Sequence, residues 1–268
     1  IRHIVQAKGL AKARQYVESI LMPTPTAVLR AATLLADGTP EEEGLGELLI
    51  VDVGGATTDV HSVGWGGVFP GAVKKGVPEP YAKRTVEGDL GVRYNAPSIL
   101  AAVGEEGLSA YLNQPVADLN RHTWDLARCP ERLPGDAAEQ AVDTALAAAA
   151  VSVAVERHAG SLEIMQLPFG KARIQRGKNL MEFRTIIGTG GPVINNPRPQ
   201  AVLAGAGYDP VKVFSLKPRQ PRLYIDSLYT LYAIGLLAES YPAQALRIAK
   251  RYLKEVNASG ENPSQGPQ

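Results

Sequence analysis

The sequence is short of cysteine. One thiol, Cys129, stands among 268 residues, which excludes an intrachain disulfide and a zinc site of the multi-cysteine kind. Charge imbalance is missing too. Lys plus Arg is 28 against 27 for Asp plus Glu, so the net charge of +1 offers no general attraction to nucleic acid or an anionic membrane. Long apolar runs are absent: the longest, Ala145 to Val155, contains Ser152 and falls short of a bilayer span. The N-terminus has neither an initiator Met nor a signal-peptide apolar core, and "IRHIVQAKGL" reads as the start of a piece cut from something longer. No internal repeat is present. With little to suggest an oxidising compartment, the expectation is a cytoplasmic protein.

What is present is an alternation of helix and strand patterns. Arg2 to Leu21 has the apolar stripe of an amphipathic helix, and Pro23 and Pro25 break it. A second helix is expected over Thr26 to Ala36, with Thr24 or Thr26 as N-cap. Gly38 to Gly46 reads as a polar loop whose acidic run, Glu41 to Glu43, is solvated. Leu48 to Val53 is a strand-length apolar run, expected to be buried on both faces. It turns at Gly54-Gly55 into a second β-rich run, Thr57 to Val63. Tyr81 to Glu87 is a further strand before the turn Gly88 to Gly91, and Asn95 to Arg128 is mixed but mainly helical. Ala137 to His158, capped by Asp136, is the strongest helix. Met181 to Ile187 reads as a strand entering Gly188-Thr189-Gly190-Gly191-Pro192, with Pro192 in the first turn of a following helix. Leu223 to Ile225 is a strand, Asp226 caps a helix through Leu237, and Ala243 to Val256 is another. Residues 257–268 have the composition of a disordered tail.

Two segments carry chemistry. In Asp52-Val-Gly-Gly-Ala-Thr-Thr-Asp59 an aspartate ends a buried strand, and two glycines let an anion approach backbone N–H groups. Thr57 and Thr58 offer hydroxyls to the same anion. Asp59 returns on the next strand, so Asp52 and Asp59 together can hold a hydrated Mg²⁺. The competing reading is an ordinary hairpin with aspartate as turn former. In the second segment, Gly188, Gly190 and Gly191 form a strand-to-helix turn that suits an anion or the flat face of a base or ribose. It lacks full dinucleotide-fold spacing, and alone it is equally a plain connection.

The order of these pieces resembles the second lobe of the actin, Hsp70 and sugar-kinase superfamily: a "PTA" helix, an Asp-Gly-Gly-x-Thr hairpin, a long insertion, a Gly-x-Gly-Gly turn and a late Asp-capped helix. In particular, "LLIVDVGGATTDVHSV", "KRTVEGDLGVRYNA", "IIGTGGPVINNP" and "YIDSLYTLYAIGLLAE" are similar to the MutL/GlmL family. These are accessory proteins of adenosylcobalamin-dependent glutamate mutase, distinct from the mismatch-repair protein of that name. The resemblance runs from about Ile4 to Val256.

The resemblance implies an α/β, actin-like (ribonuclease H-like) ATPase lobe. Its core would be residues 1–80 with 181–256, and 81–180 a largely helical inserted subdomain. It implies ATP/ADP and Mg²⁺ as cofactors, with Asp52 and Asp59 catalytic and metal-binding. Gly54, Gly55, Thr57 and Thr58 would hold phosphate, and Gly188, Gly190 and Gly191 adenosine. The role implied is an ATP-dependent, chaperone-like reactivating factor with a B12-dependent mutase subunit as partner. No Asp-x-His-x-x-Gly cobalamin motif occurs in the chain itself. Two departures accompany the match. No Asp-x-Gly phosphate strand precedes Asp52, so the chain is expected to need a first lobe to bind nucleotide well. Thr24 stands where Hsp70-like ATPases place an acid or amide that orients water, so Asp52, Asp59 or, less directly, Asp89 would take up proton transfer. Two other roles fit the same lobe: a small-molecule kinase, and a non-catalytic docking module for a mutase subunit.

Other residues read as structural. His61 has no second His or Cys near it in sequence, so a polar position on the sheet fits better than a metal ligand. Cys129 reads as an incidental thiol and Ala145 to Ala150 as a close-packing helix face. Lys171, Arg173, Arg176 and Lys178 read as a solvated basic cluster, and Tyr224, Tyr229 and Tyr232 as tyrosines packed with polar tips outward.

Overall fold

A computed structural model describes residues 23–112, 116–168 and 170–256. The helix expected over Arg2 to Leu21 and the tail expected from Asn257 lie outside the described residues. The chain runs α1 (Thr24–Asp37), β1 (Gly38–Thr39), β2 (Glu42–Glu43), β3 (Leu48–Val53), β4 (Thr58–Val63), β5 (Ala72–Lys74), β6 (Ala82–Glu87), α2 (Ala96–Ser109), α3 (Leu119–Arg128) and α4 (Ala137–His158). It continues through β7 (Ser161–Leu167), β8 (Gly170–Arg176), β9 (Thr185–Thr189), α5 (Gly191–Ile194), α6 (Pro199–Ala204), β10 (Arg222–Asp226), α7 (Leu231–Leu237), α8 (Pro242–Tyr252) and β11 (Leu253–Glu255).

A mixed six-stranded sheet, in the order β11-β10-β9-β3-β4-β6, organises everything else. Its centre, β10-β9-β3, is parallel, and β4, β6 and β11 add antiparallel edges. Strand β3 is buried on both faces, as its apolar run requires. Leu49, Val51 and Val53 join one core with α4, while Leu48 and Ile50 join another with α1, α7 and α8. Helices therefore cover both faces of the sheet, an α/β layered architecture.

Helix α4 obeys its sequence signals: the Asp136 carboxylate accepts the Glu139 N–H at 2.8 Å. By length and composition α4 could cross a bilayer, which the shorter run Ala145–Val155 could not. It packs inside the fold instead, with Ala145 to Val151 all buried. The alanines earn their place by allowing close approach, since a Cβ on Gly205 after α6 would lie 2.7 Å from the Ala148 carbonyl.

Several expectations need correction. Residues 81–180 are not a separate helical unit, because β6 pairs with β4 along its full length and α4 supplies much of the sheet's main core. What stands off the sheet is the α2–α3 pair, with α2 kinked at Gly104 (φ 73°), and a small sheet of order β5-β8-β7. Neither Thr24 nor Thr26 caps α1; Pro23 is the N-cap residue and no side chain bonds the first turn. The strand expected over Met181 to Ile187 is Thr185–Thr189, shifted because residues before it turn (Phe183 N–H to Leu180 carbonyl, 3.0 Å) and because β9 must align with Leu48–Asp52. The final helix stops at Tyr252, where the chain becomes β11 and pairs with β10. Glu42 is not simply solvated but pairs with Lys250 at 2.8 Å.

Lys178 is the largest departure. It is fully buried rather than solvated, and its ammonium donates to the carbonyls of Tyr81 (2.7 Å), Pro80 (3.1 Å) and Ser62 (3.4 Å). It thus ties the end of β4 to the start of β6. Burial pushes its pKa down to about 8.

Two histidines share this interior. His158 on α4 bonds Thr85 Oγ1 through Nδ1 and Ser62 Oγ through Nε2, both at 2.8 Å. His61 faces the opposite core with Nδ1 unpartnered. Burial pushes His61 down to about 4 and holds His158 far below the usual imidazole range. The unfolded chain takes up these protons near pH 6.5, before the folded one can, so acid favours unfolding. Asp52, whose folded carboxyl is raised to about 6, opposes this with one proton. The net expectation is a loss of about 2 kcal/mol of unfolding free energy between pH 7 and pH 5, steeper in Asp52→Asn. Urea titrations at the two pH values test it, and equal stabilities would exclude neutral buried imidazoles.

Candidate functional site

The pleat places the chemistry. Asp52 stands directly opposite Asp59 on β4 and level with Thr189 on β9, so the three side chains share one face of the sheet. Asp226 ends the adjoining β10 and accepts from Thr189 Oγ1 at 3.1 Å. A row of polar groups thus crosses four strands on the face that carries α1 and α7.

Within this row the carboxylates differ. Asp59 is committed: Arg84 donates to Oδ1 through Nε (2.9 Å) and Nη2 (2.6 Å), and Thr57 Oγ1 donates to Oδ2 at 3.2 Å. Asp226 caps α7 at a distance, accepting from Thr230 and Leu231. Asp52 is the one left open, at the floor of a cleft of about 240 Å³ walled by Thr24, Val28, Thr189, Tyr229, Leu231 and Tyr232. Burial first, then the charges of Asp59 and Asp226, raise its carboxyl to about 6 against the pull of Arg84. It can therefore exchange a proton near neutrality. Thr24, which stands where the resemblance has an acid or amide, is among the residues that wall this cleft.

A second cleft, of about 520 Å³, opens where the two glycine segments meet. Gly55 and Gly191 both line it, with Arg93, Gln140, Asp143 and Asn195 around them. Arg93 closes one side by a two-pronged pair with Asp143 (2.6 and 3.2 Å), which ties the Gly54-Gly55 turn to α4. The turn is braced as well: Gly54 donates to the Thr57 carbonyl at 2.8 Å, and Asn95 Nδ2 donates to the Ala56 carbonyl at 2.8 Å.

Not every expected residue reaches these clefts. Thr58 pairs with Val53, one register step from Asp52, so it points to the other face, where its buried hydroxyl donates to the Leu90 carbonyl at 2.7 Å. Gly188 is a packing position, since a Cβ there would lie 2.6 Å from Leu203. Gly190 (φ 90°) lets the loop close on the first segment, because its Cβ would lie 2.1 Å from the Val53 carbonyl and 2.8 Å from Asp52 Oδ1. Asp89 is held by Arg157 (2.7 and 2.9 Å), which keeps its carboxyl below the usual range, and it lines neither cleft. Arg93 and Asp143 escaped the sequence reading because each gains meaning only from the other, 50 residues along the chain, and Gln140 and Asn195 because only the fold brings them to the cleft. Among the described residues, no three His, Cys, Asp or Glu side chains could hold a metal ion together.

The fold and site define a mixed-sheet α/β protein with an aspartate at the end of a central strand between two glycine-lined turns. The chain belongs to the MutL protein family, whose model matches residues 1–253. It is 44% identical over 257 residues to "Protein MutL" of Clostridium tetanomorphum, covering 96% of this chain and 56% of that protein. The chain thus spans about half the length of the curated relative it matches.

Proposed function

We propose that this chain is the nucleotide-binding half of an actin-like ATPase that acts as an accessory, chaperone-like reactivating factor for an adenosylcobalamin-dependent mutase of the glutamate mutase type. The observation that carries the reading is the meeting of Gly55 and Gly191 across one cleft, with the open Asp52 carboxylate at the neighbouring end of β3. Those two turns are the segments whose residues suit phosphate and adenosine, and they are 136 residues apart in sequence. A nucleoside fits the larger cleft in size. Mg²⁺ would rest on Asp52 with water and phosphate oxygens as its other ligands, since Mg²⁺ is usually held by one or two carboxylates plus substrate. Asp59, opposite Asp52 on the same face, is paired with Arg84 and so would stand outside the ion's ligands. Membership of the MutL family supports the mutase as partner.

Calorimetric titration of Mg·ATP and Mg·ADP into this chain, and into the longer Clostridium tetanomorphum relative, tests the reading. Binding is expected, and Asp52→Ala should weaken it by ~10-fold or more. No heat from either protein would overturn the nucleotide assignment.

A further inference from the structure

Tyr229 carries an unexplained strain. Among the described residues only it and Asp118 hold a positive φ without being glycine, and Asp118 is the N-cap of α3, bonded to its own helix. Tyr229 has φ 55°, a left-handed conformation that costs an ordinary side chain free energy and persists only where neighbours enforce it. They do so here. The Tyr229 N–H donates to the Asp226 carbonyl at 3.0 Å, and the Asp226 carboxylate then takes the next two N–H groups, of Thr230 (2.9 Å) and Leu231 (3.0 Å). The strain does not serve the core, because the ring is 58% exposed. It places Tyr229 in the wall of the Asp52 cleft, to which Thr24 also contributes. Tyr232 shares that cleft from within α7 without strain.

We propose that Tyr229 is a phosphate-binding residue of the Asp52 cleft, its phenol hydroxyl donating to a terminal phosphoryl oxygen of a nucleoside triphosphate held above Asp52. This rests on the nucleotide reading above. The chemistry of the cleft asks for such a donor. Its floor is the open Asp52 carboxylate, whereas Asp59 beside it is paired with Arg84 and buried Asp226 is used up by its own hydrogen bonds; no lysine or arginine is among the cleft's walls, so a phosphate arriving with Mg²⁺ finds a carboxylate and no side-chain cation there. A neutral O–H donor offsets that without adding charge. The phenol stays protonated, because the Asp52 charge, then burial and Asp226, raise its pKa above the usual tyrosine value. The roles are thereby divided across the cleft: Tyr229 gives a hydrogen bond to the phosphate, and Asp52 is left for the Mg²⁺ that arrives with it.

Two measurements on the whole chain test the assignment. In calorimetry, Tyr229→Phe should weaken Mg·ATP by about fivefold to tenfold and leave Mg·ADP within about twofold, because only the triphosphate reaches the phenol. Equal losses for both nucleotides, or none, would overturn it. Tyr229→Asn, which keeps a left-handed turn while removing the ring, should repeat the result if the phenol and not the turn is responsible. Second, with tyrosines labelled at Cζ with ¹³C, the resonance lost in Tyr229→Phe identifies the phenol. Its titration midpoint should fall by about half a pH unit or more in Asp52→Asn. That titration needs no nucleotide, so an unmoved midpoint overturns the placement of the phenol over Asp52 even where Mg·ATP binds. Absence of Mg·ATP binding both to this chain and to the longer Clostridium tetanomorphum relative overturns the ligand together with the nucleotide reading.

Discussion

Replacing Gly235 by alanine is expected to cost about 3 kcal/mol or more of stability and to lower the melting temperature by roughly 10 °C. In an ordinary helix the opposite would hold, because alanine is favoured over glycine by about 1 kcal/mol. Gly235 lies inside α7, however, where α7 crosses α1 with almost no gap. A Cβ at this position would fall 1.9 Å from the Ala27 carbonyl oxygen and 2.9 Å from Ala27 Cα. The obstacle is backbone, so no side chain can swing aside, and the two helices must separate. Ala27, Ala31 and Ala32 on α1 are fully buried, which shows how closely that face is packed. Separation would also move Thr24 at the start of α1 away from Tyr229 and Leu231 at the start of α7, and so open the cleft over Asp52. Gly88→Ala is the control, since a Cβ there meets nothing within 4 Å. Calorimetric melting of both variants decides the matter, and a Gly235→Ala protein as stable as the parent would show that the helices do not touch there.

How much of this was legible in the sequence depended on how local the determining physics was. The run Leu48 to Val53 announced a doubly buried strand because it is apolar on successive residues, of strand length and closed by a turn, and the hairpin followed from Gly54-Gly55. The cap at Asp136 was legible for the same reason: donor and acceptor are three residues apart. Register was not legible. The face on which Thr58 lies depends on its pairing with Val53 rather than with Asp52, and a shift of one residue inverts the answer. Lys178 sits in a stretch of basic residues, and nothing adjacent reveals that three carbonyls, from Ser62, Pro80 and Tyr81, surround its ammonium. Arg93 and Asp143 are joined only through the fold. The candidate site divides in the same way. Its glycine turns and Asp52 could be read from the chain, whereas the walls that make clefts of them could not.

Asp226→Ala is expected to destabilise the fold by about 3–5 kcal/mol. The side chain is 2% exposed and its two oxygens accept four hydrogen bonds: Thr189 Oγ1 at 3.1 Å, Thr230 N at 2.9 Å, Thr230 Oγ1 at 3.0 Å and Leu231 N at 3.0 Å. The sequence placed a cap at Asp226 directly against the helix. The structure instead has this carboxylate reach across a turn to the first residues of α7 while also holding β9 through Thr189. Removing it leaves buried donors on two elements with no partner, and each unsatisfied group carries a penalty of about 1–3 kcal/mol. Asp226→Asn tests the mechanism. The amide has one acceptor oxygen and one donor nitrogen, so it can serve one side of the cage while its N–H₂ faces donors on the other. A loss smaller than that of alanine, yet still above about 1 kcal/mol, is therefore expected in urea titrations. The two variants should also loosen the left-handed turn at Tyr229, because the Asp226 carboxylate holds Thr230 and Leu231, the two residues that follow it. In the labelled chain the Tyr229 resonance would then titrate like that of a solvated phenol. An alanine variant that costs under about 1 kcal/mol would mean that water or neighbouring groups satisfy these donors, and that the aspartate is not what joins β9, β10 and α7 at the floor of the cleft.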